Sequence, residues 1–247
     1  MLKTFAQAAA DYCAAAEKRT AQSLSRLLLL GALAGVFIAF AGVAASIGGA
    51  LGGRLASAAI FPIGLTMVLL AGSELFTGNC LFLMPLLRGN ITAGSMLKSW
   101  ATVYLGNLFG SVAVAFLVAR CGALNGVAES AVSTALTKAA LPFGAALLRG
   151  VLCNFLVCLA VWMAFCARSA GGKMVSLFGP IFLFVLCGFE HSVANMYYIP
   201  AGIFLAGNGE LSWLDLLRNL LPVTLGNLVG GCALGGILYL LYARKAG

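Results

Sequence analysis

Gly188-Phe189-Glu190-His191-Ser192-Val193-Ala194-Asn195 places a carboxylate and the chain's one histidine inside an apolar run from Met174 to Leu205. Phe-Leu-Phe-Val-Leu-Cys precedes it at 182–187, and Met196-Tyr-Tyr-Ile-Pro200 follows. Ionisable groups at membrane depth are costly, face a protein interior or a wet cavity, and usually mark a transport path. A buried, hydrogen-bonded structural pair is the competing reading of Glu190-His191 taken alone.

A second copy decides between them. Gly72-Ser73-Glu74-Leu75-Phe76-Thr77-Gly78-Asn79 lies in another apolar run, Leu55 to Leu87, and both stretches fit Gly-x-Glu-x4-Asn. Gly72, Glu74 and Asn79 map onto Gly188, Glu190 and Asn195 at a constant offset of 116. Further on, Leu105-Gly-Asn-Leu-Phe-Gly110 is echoed by Leu225-Gly-Asn-Leu-Val-Gly230 at an offset of 120. Two matched pairs in the same order indicate an internal duplication.

The composition places these runs in a membrane. Of 247 residues, 62% are hydrophobic and only 9% charged, and the mean hydropathy is +1.04. A soluble domain is about a quarter charged. Apolar stretches of bilayer length, about 20 residues, give six spans at roughly 27–50, 55–87, 99–119, 143–167, 174–206 and 217–242. The net charge of +8 is topological rather than a nucleic-acid patch. Ten of the 15 basic residues, including Lys3, Arg19, Lys173 and Lys245, fall on the N-terminal side; Arg54, Arg120, Lys138, Arg149 and Arg218 fall on the other. By the positive-inside rule both termini face the cytoplasm of a cell with this protein in its inner membrane.

Residues 1–26 lack the compact apolar region and cleavage site of a signal peptide. Phe5, Ala8, Ala9, Tyr12, Ala16 and Leu24 recur at helical spacing, which predicts an amphipathic helix lying on the membrane or against a neighbouring subunit. The transmembrane domain then covers 27–247, with repeat one at about 27–120 and repeat two at about 143–242. Of eight cysteines, six lie in apolar spans with no Cys-x-x-Cys, so free thiols are expected.

Spans two and five are about 33 residues long, more than a bilayer needs, and interruptions at Glu74–Asn79 and Glu190–Asn195 account for the excess. Non-helical backbone at that depth is tolerated where it is buried in protein or lines a cavity. Three spans per copy, an odd number, force the second copy to enter the bilayer inverted. Inverted repeats with broken helices at the midplane are a transporter and channel signature. The fold class expected is therefore an all-α polytopic membrane protein, six helices in a 3+3 inverted repeat. Small residues in span one read as helix packing, and Asn107 and Asn227 as interhelical hydrogen-bonding groups.

No acid pair, nucleophilic triad or metal motif is assembled, and Glu190-His191 lacks a second histidine four residues on. Neither an enzyme nor a cofactor is indicated. His191 can switch charge near physiological pH, because an unperturbed imidazole titrates at about 6.5. Thr77 in the matching loop offers a hydroxyl that could meet it. Phe61, Leu65, Leu75, Phe76 and Phe184 supply bulky apolar groups around them. Moving a bare ion through such a constriction costs on the order of 20 kcal/mol by the idealised Born estimate; a small weak acid evades this by crossing protonated.

Glu-Leu-Phe-Thr at 74–77, Gly-Asn-Leu at 106–108, Leu-Cys-Asn-Phe-Leu-Val-Cys-Leu-Ala-Val-Trp at 152–162, Gly-Phe-Glu-His-Ser-Val-Ala-Asn-Met at 188–196 and Leu-Pro-Val-Thr-Leu-Gly-Asn at 221–227 resemble the motifs of the formate/nitrite transporters. The likeness covers essentially the whole chain. It implies an aquaporin-like protomer in a homopentamer, one pore per subunit. It also implies that His191 is the central pore histidine, Thr77 its hydrogen-bonding partner, and Phe61, Leu65, Leu75 and Phe184 constriction residues. Lys138, by itself an ordinary loop lysine, matches the family's vestibule lysine. Asn154 and Asn195 match further polar positions. Short connections at 120–142 and 207–216 leave little room for external structure.

The resemblance implies small monovalent anions as partners. Met196-Tyr-Tyr-Ile-Pro200 resembles the formate branch, which ranks formate first, with nitrite and hydrosulfide as alternatives. An aquaporin-like pore for neutral solutes is the competing function, and a scaffold without a continuous cavity is a third.

Overall fold

The computed structural model describes residues 2–207 and 209–244. Met1, Asn208 and residues 245–247, Lys245 of the charge reading among them, lie outside the described residues. Within that range every regular element is a helix apart from one bridge between Leu2 and Ala167.

Helix α1 (Phe5–Thr20) starts in a capping box of Thr4 and Gln7. Helix α2 (Leu24–Ile60) breaks at Gly52 (φ −131°) and Gly53 (φ 70°). There the chain folds back, so that Ser57 Oγ donates to the Ala45 carbonyl at 2.7 Å. That reversal separates span one from span two. Span two continues through α3 (Ile63–Leu70), a gap, α4 (Phe76–Asn79), a 3₁₀ turn and α5 (Leu83–Arg88); span three is α6 (Ala93–Arg120). After α7 (Ala128–Ala139), span four is α8 (Phe143–Cys166), span five is α9 (Ala170–Leu186) plus α10 (Ser192–Ala206), and span six is α11 (Trp213–Leu238). Helices α6, α8 and α11 are each long and apolar enough to cross a bilayer; α9 and α10 are shorter apolar helices.

The spans of each copy pack through missing side chains. A Cβ on Gly110 would lie 2.0 Å from the Ala32 carbonyl oxygen, and one on Gly230 2.0 Å from that of Val151. Gly106 and Gly226 meet Leu28 and Leu147 carbonyl oxygens in the same way, at 2.5 and 2.1 Å. Helices α2 and α6 therefore touch backbone to backbone, as do α8 and α11.

Both breaks fall earlier than the sequence suggests, at 71–75 and 187–191. Gly72 (φ 73°) and Gly188 (φ 70°) end the first half-helices. Just past them Ser73 N–H donates back to the Val68 carbonyl and Phe189 N–H to that of Phe184, the Schellman closure that needs a left-handed residue. Thr77, Asn79 and Asn195 consequently sit in the resumed helices rather than in loops.

Two other expectations change. The 120–142 connection is not bare: it holds a 3₁₀ turn at Asn125–Val127 and all of α7. Helix α1 packs within its own chain, with Tyr12 buried edge-on to Phe165 (centroids 4.9 Å apart) and Phe5 against Tyr242. Leu24, taken as part of its apolar face, instead opens α2 and is exposed.

Candidate functional site

Two asparagines build the breaks. Asn107 Oδ1 accepts from Phe76 N–H at 2.9 Å, while its Nδ2 donates to the carbonyls of Gly31 and Glu74. Asn227 repeats this on Ser192 N–H (2.9 Å), Gly150 and Glu190. Each loop is also tied to its neighbour by backbone, Glu74 N–H to the Leu30 carbonyl and Glu190 N–H to that of Arg149. Backbone groups stripped of helical partners at this depth must be satisfied by protein, and both asparagines are fully buried to do so. They are splints for the loops, a more specific job than interhelical adhesion.

The two glutamates are met by matched devices. Arg19, in the last turn of α1, grips Glu74 with Nε on Oε1 and Nη2 on Oε2, both at 2.6 Å, and Nη2 also reaches Asn79 Oδ1. Lys138, in the last turn of α7, donates to both Glu190 oxygens at 3.0 and 3.1 Å. Asn79 and Asn195 complete the sets through Nδ2 bonds to the adjacent carboxylates, at 2.9 and 2.6 Å. Helices α1 and α7 thus deliver their cations to the two breaks in matching ways.

Between these clusters runs a path with a narrow waist. One vestibule, about 370 Å³, is lined by Arg19, Glu74, Lys173, Leu65 and Leu75 among others. The opposite one, about 430 Å³, includes Arg54, Lys138, Arg149, Glu190, Phe61, Phe184 and His191. A void of about 10 Å³ separates them, walled by Ile38, Phe61, Leu65, Leu75, Val157, Ile181, Phe184 and His191. That is room for about one water. Leu65 and Leu75 are shared by the first vestibule and the void, and Phe61, Phe184 and His191 by the void and the second vestibule. Apolar gates therefore stand on both sides.

His191 is the polar group of that waist. Its ring lies near-parallel to Phe184 at 5.8 Å, and Phe61 meets Phe184 edge-on at 5.8 Å. As N-cap of α10, His191 accepts from Ala194 N–H at Nδ1 (3.0 Å), while Nε2 lies 2.8 Å from Thr77 Oγ1. An Nδ1 that accepts carries no proton, so the neutral ring holds its hydrogen on Nε2 and donates it to Thr77. The Thr77 carbonyl in turn accepts from Asn154 Nδ2 (3.2 Å) and the Cys158 thiol (3.3 Å).

The structure brings His191, Thr77, Phe61, Leu65, Leu75 and Phe184 to the waist or directly against it, and Glu74, Glu190 and Lys138 to the vestibule floors; Asn195 is buried behind Glu190, between it and Asn219. Asn154 stands behind Thr77 and also donates to the Asn227 carbonyl at 2.6 Å. Phe76 goes elsewhere: its ring packs edge-on between Tyr104 (4.9 Å) and Trp100 (6.4 Å), outside the void. Sequence reasoning missed Ile38, Val157 and Ile181, ordinary apolar residues among dozens. It also missed Arg19, although Arg19 and Lys138 stand 119 apart, close to the offset of the duplicated motifs.

Comparison with known proteins agrees with this architecture. The profile described as "Formate/nitrite transporter" matches residues 6–241. A probable formate transporter of Methanothermobacter thermautotrophicus is 40% identical over 96% of each chain. The formate channel BtFdhC of Bacillus thuringiensis is 36% identical over 92% of this chain and 91% of its own. Among solved structures, an "FNT family ion channel" superposes with a TM-score of 0.88 at 33% identity, covering 96% of this chain and 99% of that one. A "Pentameric formate channel with formate bound" follows at 0.79 and 32%, covering 90% and 98%. With its inverted repeat, paired broken helices and gated waist, the chain belongs to the formate/nitrite transporter family.

Proposed function

We propose that this protein is a membrane channel for small monovalent anions of weak acids, formate first, with the pore in the part following residue 26 and one pore in each subunit of a pentamer. The observation that carries this is a buried imidazole–hydroxyl pair between two polar vestibules joined only through a one-water apolar void. Similarity to relatives named as formate channels and to a pentameric formate channel supports the substrate and the assembly. Transport rather than catalysis is the family's business, and the N-terminal vestibule is assigned to the cytoplasmic side of the inner membrane by the basic residues around it.

Formate enters a vestibule as the anion, where cations offset its charge. It takes a proton from the vestibule water, crosses the void as the neutral acid and returns the proton to water on the far side, because the idealised Born penalty of a bare ion there is on the order of 20 kcal/mol. His191 orients the acid through its fixed Nε2–H and the Thr77 hydroxyl. A second proton on the ring would set N–H against the Ala194 N–H, so proton loading of His191 requires α10 to release that bond. Nitrite and hydrosulfide, of similar size and charge, are the alternative cargoes.

The test is flux into proteoliposomes with formate, nitrite and hydrosulfide across a pH series. Formate uptake that rises as pH falls and depends on His191 supports the reading. Water permeation without formate uptake would replace it with a neutral-solute pore.

A further inference from the structure

We propose that Arg54 and Arg149 form an outer capture site for a small carboxylate in the vestibule floored by Lys138, so that anion affinity differs between the two faces of the pore. This rests on the anion-channel reading above and concerns residues that reading does not use.

Both arginines line the 430 Å³ vestibule. Arg54 follows the Gly52–Gly53 reversal and brings its guanidinium beside the second break, 3.6 Å from where a Cβ of Gly188 would stand. Arg149 belongs to α8, and its own carbonyl anchors Glu190 N–H. Several of the other polar groups of this vestibule are already engaged. The Lys138 ammonium is held by both oxygens of Glu190. Ser46, Ser57, Thr134 and Thr137 donate their hydroxyl protons to the carbonyls of Gly42, Ala45, Ser130 and Ser133. Arg54 and Arg149, by contrast, have no hydrogen-bonding or acidic partner among the described residues. Two uncompensated guanidiniums thus face one concave chamber.

A guanidinium presents parallel N–H donors that fit a carboxylate in bidentate fashion, which an ammonium does not. Low-dielectric walls focus such charge and raise the local anion concentration and capture rate. The opposite vestibule lacks an equivalent. Arg19 is consumed by Glu74, Lys3 pairs with Asp11, and Lys173 is left as a single ammonium. The chamber flanked by α7 is therefore the high-affinity mouth.

The experiment measures formate uptake in right-side-out and inside-out membrane vesicles carrying the full chain, as wild type, Arg54→Gln, Arg149→Gln and Lys173→Gln. In one vesicle orientation each arginine variant should raise the half-saturating formate concentration on the order of threefold to tenfold relative to the other orientation, and flatten its dependence on ionic strength. Lys173→Gln should act on the opposite face, and Arg54→Lys should recover the salt dependence but only part of the affinity. Equal shifts from both faces indicate damage to the fold rather than a lost site, and they overturn the proposal, as do half-saturation values within twofold of wild type on both faces. If wild-type vesicles take up no formate at all, the channel reading falls and this site falls with it. Wild-type uptake with indifferent arginine variants sinks the capture site alone.

Discussion

Thr77 Oγ1 and His191 Nε2 lie 2.8 Å apart, although the duplication does not pair them. At the offset set by Glu74 and Glu190, Thr77 corresponds to Val193 and His191 to Leu75. One copy contributes a hydroxyl, the other an imidazole, and the polar centre exists where the two copies differ. Replacing His191 with leucine would give both breaks the same residue and make the waist wholly apolar. His191→Leu protein should assemble normally by size-exclusion chromatography yet lose formate uptake by at least about tenfold, equivalent to about 1.4 kcal/mol. Thr77→Val should act in the same direction, since it leaves one buried N–H unpaired at about 1–3 kcal/mol. Uptake at wild-type rates in both variants would remove this pair from the mechanism.

Acid should accelerate the wild type. The void excludes a bare ion, so the permeating form is the neutral acid, whose fraction grows as pH falls. Formate influx measured from about pH 8 down to about pH 5, the range in which histidine ordinarily titrates, should rise monotonically. A flat profile would mean that the anion itself crosses.

Asn107 and Asn227 each satisfy two backbone groups at a break and one carbonyl of the neighbouring helix. Alanine at either position orphans the two groups at the break in a dry interior, at about 1–3 kcal/mol per unsatisfied group. Asn107→Ala and Asn227→Ala should lower the thermal unfolding midpoint in detergent by comparable amounts, because their bonds are near-identical in kind and length. A large effect at one site and none at the other would contradict the equivalence of the two loops.

Much of this was legible in the sequence for a physical reason. A glutamate in an apolar run, a glycine two residues before it and an asparagine five after it are hard to place in an unbroken lipid-facing helix, and their recurrence gave the duplication. The six spans followed from hydropathy alone. What stayed hidden depends on distance rather than pattern. Arg19 looks like one more positive charge on a surface helix until α1 docks and its fork closes on Glu74. Helix α7 is hydrophilic by membrane standards, so a hydropathy reading passes over it and leaves Lys138 on a loop. Phe76 and Leu75 are neighbours of equal apolarity; only the resumption of the helix at Phe76 sends the one toward Tyr104 and the other into the waist.

Backbone contact between spans makes its own demand. With a Cβ due 2.0 Å from a carbonyl oxygen, Gly110→Ala and Gly230→Ala must push α6 from α2 and α11 from α8. Overpacking of this kind is worth about 1–3 kcal/mol or more, so both variants should give less folded protein and a lower unfolding midpoint. Gly179→Ala, in α9 with no neighbouring heavy atom within 4 Å of its Cβ, should be neutral or mildly stabilising, since alanine favours a helix by about 1 kcal/mol over glycine. Equal behaviour of all three would show that the close approach is not needed.

The Arg19–Glu74 pair separates the value of a buried ion pair from the harm of breaking one. Glu74 is 3% exposed, and its carboxylate is met by the Arg19 fork and the Asn79 amide. Removing one partner leaves an uncompensated charge, which destabilises by about 3–5 kcal/mol, whereas replacing both with apolar groups is often close to neutral. Arg19→Met and Glu74→Leu should therefore each lower stability strongly. The double variant should be less destabilised than the sum of the singles, with only the Asn79 amide left wanting. Additivity within about 0.5 kcal/mol is the mark of independent sites. Found here in a double-mutant cycle, it would mean that solvent already screens the pair and that α1 is not locked to the first break through Arg19.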